Sequence, residues 1–115
     1  MKTTEEVFEA HIAAFEDGMD AIVSNFSEES VIVSQKNIYK GLDGVREYFT
    51  KFLDNVPEGL WDSFEITRKV IEKDIVYLTW EAPPWVLLAT DTFVIRDEKI
   101  LYQTVASHKI STELA

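Results

Sequence analysis

The chain has 115 residues, 46% hydrophobic and 28% charged, which suits one globular domain over residues 1–115 with a single core. With 11 Lys+Arg against 21 Asp+Glu, its net charge of -10 argues against nucleic acid and anionic membrane as partners. Cysteine is absent, which excludes disulfides and thiolate metal sites; the N-terminus leads into no signal-peptide core and no run is long enough to span a bilayer, so a cytoplasmic protein is expected.

Thr3 and Glu6 have capping-box spacing, and Val7, Phe8, Ile12 and Phe15 recur at helical intervals, predicting a helix of about three and a half turns. Asp17-Gly18 supplies its stop, and Asp20 can cap a second, shorter helix carrying Ile22, Val23 and Phe26. The polar Ser27-Glu28-Glu29-Ser30 breaks the pattern before a β-branched strand at Val31-Ile32-Val33-Ser34. Gln35 to Lys40 reads as a tight turn and a short return strand. Asp43 then caps a third helix with Val45, Tyr48, Phe49, Phe52 and Leu53 on one side. After a loop at Pro57-Glu58-Gly59, a strand is predicted from Trp61 to Val70, followed by a turn at Lys73-Asp74. Ile75 to Ala82 alternates Val76, Leu78, Trp80 and Ala82 against Ile75, Tyr77, Thr79 and Glu81. Pro83-Pro84 interrupts the ladder, because proline has no N–H to donate. Trp85 to Arg96 and Lys99 to Ile110 complete a meander across a polar turn at Asp97-Glu98-Lys99, and Ser111 to Ala115 is a frayed tail.

Helices in one block and strands in another argue an α+β domain, with one antiparallel sheet covering the aromatic sides of three helices. If the sheet bends, it leaves a conical cavity between its inner face and the helices. Side chains alternate along a strand, so Asp91 shares a face with Phe93 and Ile95 while Thr90, Thr92, Val94 and Arg96 form the wetter one. A carboxylate on a core face is costly unless it is paired or protonated, which makes Asp91 the most informative residue in the chain.

Three runs resemble the nuclear transport factor 2-like (NTF2-like) superfamily: His11 to Ile22, Phe26-Ser27-Glu28-Glu29-Ser30-Val31, and Tyr39-Lys40-Gly41-Leu42-Asp43-Gly44-Val45-Arg46-Glu47-Tyr48-Phe49. Asp91 to Asp97 and Lys99-Ile100 continue the match, which is nearest in kind to the SnoaL-like and ketosteroid-isomerase-like branches. The resemblance implies a cone-shaped fold, a strongly bent antiparallel sheet on three N-terminal-half helices, and a central pocket. It also places Asp91 where ketosteroid isomerases keep a protonated acid that donates to a substrate oxyanion. His11 falls where those enzymes place a tyrosine. Ser34 occupies the position of their general base, and a hydroxyl cannot take a proton usefully without a base beside it, so steroid isomerisation is disfavoured.

Asp91 also has a plainer explanation, a structural hydrogen bond, and a lone helical histidine such as His11 is commonly a boundary residue. Together on one cavity they become a candidate acid–base pair for an isomerase or lyase, in direct contact or through one water. Ser34, Phe26, Tyr48, Phe52, Trp80 and Trp85 are the residues expected to contact a small apolar ligand, with Trp80 and Trp85 bracketing the proline break at its rim. Two histidines without a spaced carboxylate give no metal site, and no phosphate loop or dinucleotide fingerprint calls for a cofactor. Three functions follow: an isomerase or lyase, a binding domain for a small apolar molecule, or a non-catalytic homodimeric module joined through the outer face of the sheet.

Overall fold

Helix α1 (Thr4–Ala14) opens with the expected capping box, the Thr3 hydroxyl accepting from the Glu6 N–H and the Glu6 carboxylate accepting from the Thr3 N–H. The computed structural model describes residues 1–109; Ile110 and the tail expected over residues 111–115 lie outside the described residues. Gly18, at φ 101°, takes the N-cap of α2 (Met19–Val23), a role the sequence suggested for Asp20. Asp20 lies two positions past it, as the second residue of the helix, and its carboxylate meets the Arg46 guanidinium at 2.9 Å.

The first strand, β1 (Phe26–Val33), is longer than expected: it absorbs Ser27 to Ser30, which read as a break. The Ser30 hydroxyl donates to the Ile100 carbonyl at 2.6 Å, so a polar residue is held inside a sheet. A turn leads to β2 (Ile38–Lys40) and then to α3 (Gly41–Asp54), which starts two residues before Asp43, with Lys40 at its N-cap. Gly44 lets this helix lie close to β2: a Cβ there would stand 2.8 Å from the Tyr39 carbonyl carbon. The segment read as the start of a long strand is instead a short helix, α4 (Leu60–Ser63), entered through Gly59 at φ 90°. Strands β3 (Glu65–Glu72), β4 (Ile75–Ala82), β5 (Val86–Arg96) and β6 (Lys99–Lys109) follow as an antiparallel meander.

The six strands make one strongly curved sheet in the order β2-β1-β6-β5-β4-β3. It is mixed, correcting the antiparallel expectation: β1 runs parallel to β6, with Ile32 opposite Gln103. Adjacent strands in a chain predict hairpins, whereas this pair joins segments some 70 residues apart and leaves no local signal. Bulges bend the sheet. One gives β5 two consecutive outward side chains, Leu87 and Leu88; another inserts Leu101 into β6, since Ile95 faces Ile100 but Val94 faces Tyr102. On the concave side Val7 and Phe8 of α1 and Val45, Tyr48 and Phe49 of α3 pack over Ile32, Val76, Leu78, Phe93 and Ile100. No helix of the described residues is long and apolar enough to cross a membrane.

The β5–β6 hairpin turns on Asp97 and Glu98, both with positive φ, 52° and 63°. That is the signature of a type I′ turn, a conformation that costs a residue with a side chain about 1 kcal/mol or more. Replacing Asp97-Glu98 by Asn-Gly is expected to raise stability by about 1 kcal/mol, seen as a higher urea midpoint at unchanged slope. The exposed bond from the Lys2 N–H to Glu98, which the change removes, adds little. A midpoint at or below that of the parent protein would contradict a strained turn.

Candidate functional site

The register of β4, β5 and β6 builds the polar centre. Asp91 stands between Leu78 of β4 and Val105 of β6, and its diagonal neighbours on the same face are Trp80 and Gln103. Both reach it: the Trp80 indole N–H donates to Oδ1 at 3.1 Å and the Gln103 amide donates to Oδ2 at 3.1 Å. Asp91 is 8% exposed, and burial pushes its carboxyl up to about 6, against the opposing pull of these two donors. Tyr48 faces the same region; burial and the neighbouring Asp91 push its phenol well above the ordinary range.

His11 sits within the apolar stripe of α1, with Val7, Phe8 and Ala14, and is 2% exposed. Its ring meets Phe15, Phe26, Phe49 and Phe93 at centroid distances of 5.2 to 5.8 Å. Burial lowers its pKa to about 4, and its Nδ1 has no hydrogen-bond partner. No direct hydrogen bond joins it to Asp91, whose described partners are Trp80 and Gln103. Of the two forms expected, direct contact or contact through one water, the direct one is not made. His11 rests on Phe93, two residues along the strand from Asp91, and the aromatic ring takes the place of a polar partner.

Both groups nevertheless line one cavity of about 460 Å³ between α1, α3, α4 and the concave sheet. Of the eight residues chosen from sequence, His11, Asp91, Tyr48, Phe52 and Trp80 line it, and Ser34, Phe26 and Trp85 do not. Ser34 follows the end of β1 and is spent on the turn, its backbone and hydroxyl both bonded to the Asn37 carbonyl. Phe26 packs against His11 and Phe49, outside the cavity lining. Trp85 belongs to the turn after the two prolines, and its ring lies against Gly59. Sequence reasoning missed Gln103 as Asp91's partner, and also Phe15, Phe64 and the short helix that brings Trp61 to the wall. Gln103 carried a signal in its spacing, two residues from Val105. Among the described residues, no three His, Cys, Asp or Glu side chains are grouped to hold a metal.

Two buried titrating groups act on stability with opposite signs. Between pH 6.5 and about 4 an unfolded His11 is protonated and the folded one is not, so His11 lowers stability as pH falls through that window. Between about 6 and 3.8 the folded Asp91 holds a proton that the unfolded one has released, so Asp91 raises stability as pH falls. Each gap amounts to ~3 kcal/mol, and the two largely cancel where they overlap. Relative to the parent protein, Asp91→Asn is expected to lose stability on acidification through that window and His11→Leu to gain it. Denaturant midpoints measured across the window check this. A profile parallel to the parent's would show that the altered side chain titrates alike folded and unfolded.

No family model matches the sequence, and neither does any curated protein. Solved structures do match the fold. An NTF2-like protein of unknown function from Cytophaga hutchinsonii superposes with a TM-score of 0.72 at 13% identity, covering 94% of this chain and 92% of that one. A SnoaL-like protein of unknown function from Burkholderia thailandensis gives 0.70 at 17% identity over 91% and 94%. A protein with a ketosteroid isomerase-like fold from Catenulispora acidiphila, in complex with trimethylamine, gives 0.69 at 18% identity over 97% and 92%. The mixed, strongly curved sheet wrapped on N-terminal helices is the NTF2-like fold, in the form that SnoaL-like and ketosteroid-isomerase-like proteins share.

Proposed function

We propose that the chain binds a small, largely apolar molecule in the conical cavity, anchored at one polar point by Asp91. The observation that carries this reading is the distribution of polarity. A cavity of about 460 Å³ is walled mainly by aromatic and aliphatic side chains, while Asp91, Gln103 and Tyr48 supply polar groups on its lining. That is the composition of a small-molecule site, where apolar walls give affinity and a few polar atoms give orientation. The Catenulispora protein, whose structure is a complex with trimethylamine, supports the reading that this fold admits a small organic molecule. Isomerase or lyase chemistry is the less supported form. It would run without a direct Asp91–His11 bond, and Ser34 supplies no base at the cavity.

Titration with a panel of small cyclic ketones, alcohols and amines, followed through the methyl NMR signals of Leu78 and Val105, tests the proposal. At least one class should shift both signals saturably, and in Val105→Phe, which fills the cavity, the affinity read from the Leu78 methyls should fall tenfold or more. No saturable shift with any class, or the same affinity in Val105→Phe, would remove the reading.

A second reading, a homodimer joined through the convex face, rests on a separate observation. Val33, Tyr77, Leu88 and Tyr102 project from that face and are all at least 36% exposed. With Thr90, Thr92 and Thr104 they form a moderately apolar surface on adjoining strands, suited to a self-complementary contact. Sedimentation at micromolar concentration should give twice the chain mass, and Tyr102→Asp should shift it towards the monomer. A monomeric parent protein would end this reading.

A further inference from the structure

We infer that the ligand of the cavity is an organic ammonium ion, its charged nitrogen set against Asp91 and its hydrocarbon body against the aromatic wall. The inference rests on the proposal that the cavity is a binding site, and the charges around it supply the rest. Among the described residues two charged side chains line it, Asp91 and Glu16, and both are acidic; no described Lys or Arg side chain lines it. His11, the titratable nitrogen base of the described lining, is buried among phenylalanine rings that favour the neutral form. A buried carboxylate without a counter-ion is an expensive arrangement, and a cationic ligand would relieve it.

The hydrogen bonds point the same way. Trp80 and Gln103 each give Asp91 one N–H, and a donated N–H favours the ionised carboxylate over the acid. Each carboxylate oxygen keeps lone-pair capacity for a further donor, which an ammonium N–H supplies and a ketone does not. A neutral acceptor such as a carbonyl would instead need Asp91 protonated, the form that burial favours and both donors oppose.

The wall suits a cation as well. Trp61, Phe64 and Trp80 form a continuous run with ring centroids 5.5 and 5.1 Å apart, and Trp80 is pinned at its N–H edge to Asp91. The indole face beside the carboxylate can therefore meet the alkyl groups of an ammonium, where the ring quadrupole attracts positive charge. Glu16 lies on the lining one turn beyond Ile12, and the chain carries a net charge of -10, so the field around the cavity favours arriving cations.

The test uses matched pairs that differ in headgroup alone: N,N-dimethylcyclohexylamine against cyclohexyl methyl ketone, and the corresponding pair on the saturated ring of a tetralin skeleton (N,N-dimethyl-2-aminotetralin against 2-acetyltetralin). Calorimetric titration of the whole chain at neutral pH, where each amine is an ammonium ion, should show an amine binding at least tenfold tighter than its ketone. Asp91→Asn should erase that preference, lowering amine affinity by tenfold or more while ketone affinity holds or rises. A ketone that binds as tightly as its amine, or an amine indifferent to Asp91→Asn, would overturn the inference and leave the binding site standing. Failure of every amine and ketone to bind would overturn the inference, and failure of the alcohols as well would remove the binding reading with it. The amine–ketone comparison in the parent protein decides the matter even if Asp91→Asn fails to fold.

Discussion

A carboxylate in the middle of a β-sheet's apolar face has to be satisfied by what the sheet itself can supply. Here the supply comes from the two strands that flank it. Trp80 and Gln103 are the diagonal neighbours of Asp91 on either side, and one N–H from each reaches one oxygen. The arrangement holds only in one register on both sides at once. A slip of one residue on either strand would turn that strand's donor to the convex face and leave one oxygen of the buried carboxylate without its N–H. The polar centre therefore serves as a register lock for β4, β5 and β6. The same lock fixes the aromatic wall, because Trp80 is both donor to Asp91 and part of that wall.

Much of the fold could be read from local chemistry. The capping box at Thr3 and Glu6, the alternation in Ile75–Ala82 and the inward face of Asp91, Phe93 and Ile95 are written into short spacings. The parts that could not be read depend on distant partners. Ser27 to Ser30 looked like a break because the Ile100 carbonyl, which accepts from the buried Ser30 hydroxyl, lies far along the chain. The parallel pairing of β1 with β6 has no adjacent turn to announce it. Helix α4 was hidden for another reason: Leu60-Trp61-Asp62-Ser63 is too short to show a helical period, and Phe64 and Ile66 after it alternate as in a strand.

The candidate site was legible in its centre and blurred at its edge. Asp91 followed from parity alone, and His11 followed from the helical repeat with the resemblance beside it. Gln103 required the register of β6, which passes through an unusual pair of features. A two-residue turn at Asp97-Glu98 followed by an inserted Leu101 brings the strand to the same alignment as a three-residue turn would. The expected turn at Asp97-Glu98-Lys99 thus gave the right face for Gln103 from a different local structure. Ser34 failed because the expected strand was carried one residue too far, past the end of β1 into a turn that claimed its hydroxyl.

The parallel seam between β1 and β6 has a consequence for how the chain acquires its structure. Strand β1 finds its inner neighbour only when residues 100–104 are available, and the Ile100 N–H then bonds to the Asn25 carbonyl while Lys99 reaches the Ser24 carbonyl. Closing so long a loop is entropically costly and slow compared with forming the local helices and hairpins. On a ribosome, the N-terminal helices would emerge with Phe8, Tyr48 and Phe49 lacking their eventual cover over the sheet. The β4–β5–β6 meander can assemble from neighbouring segments, but the cone closes only at the last strand. Loss of β6 would therefore strip away more than one edge: it would open the seam in the middle of the sheet and expose the aromatic interior on both sides of it.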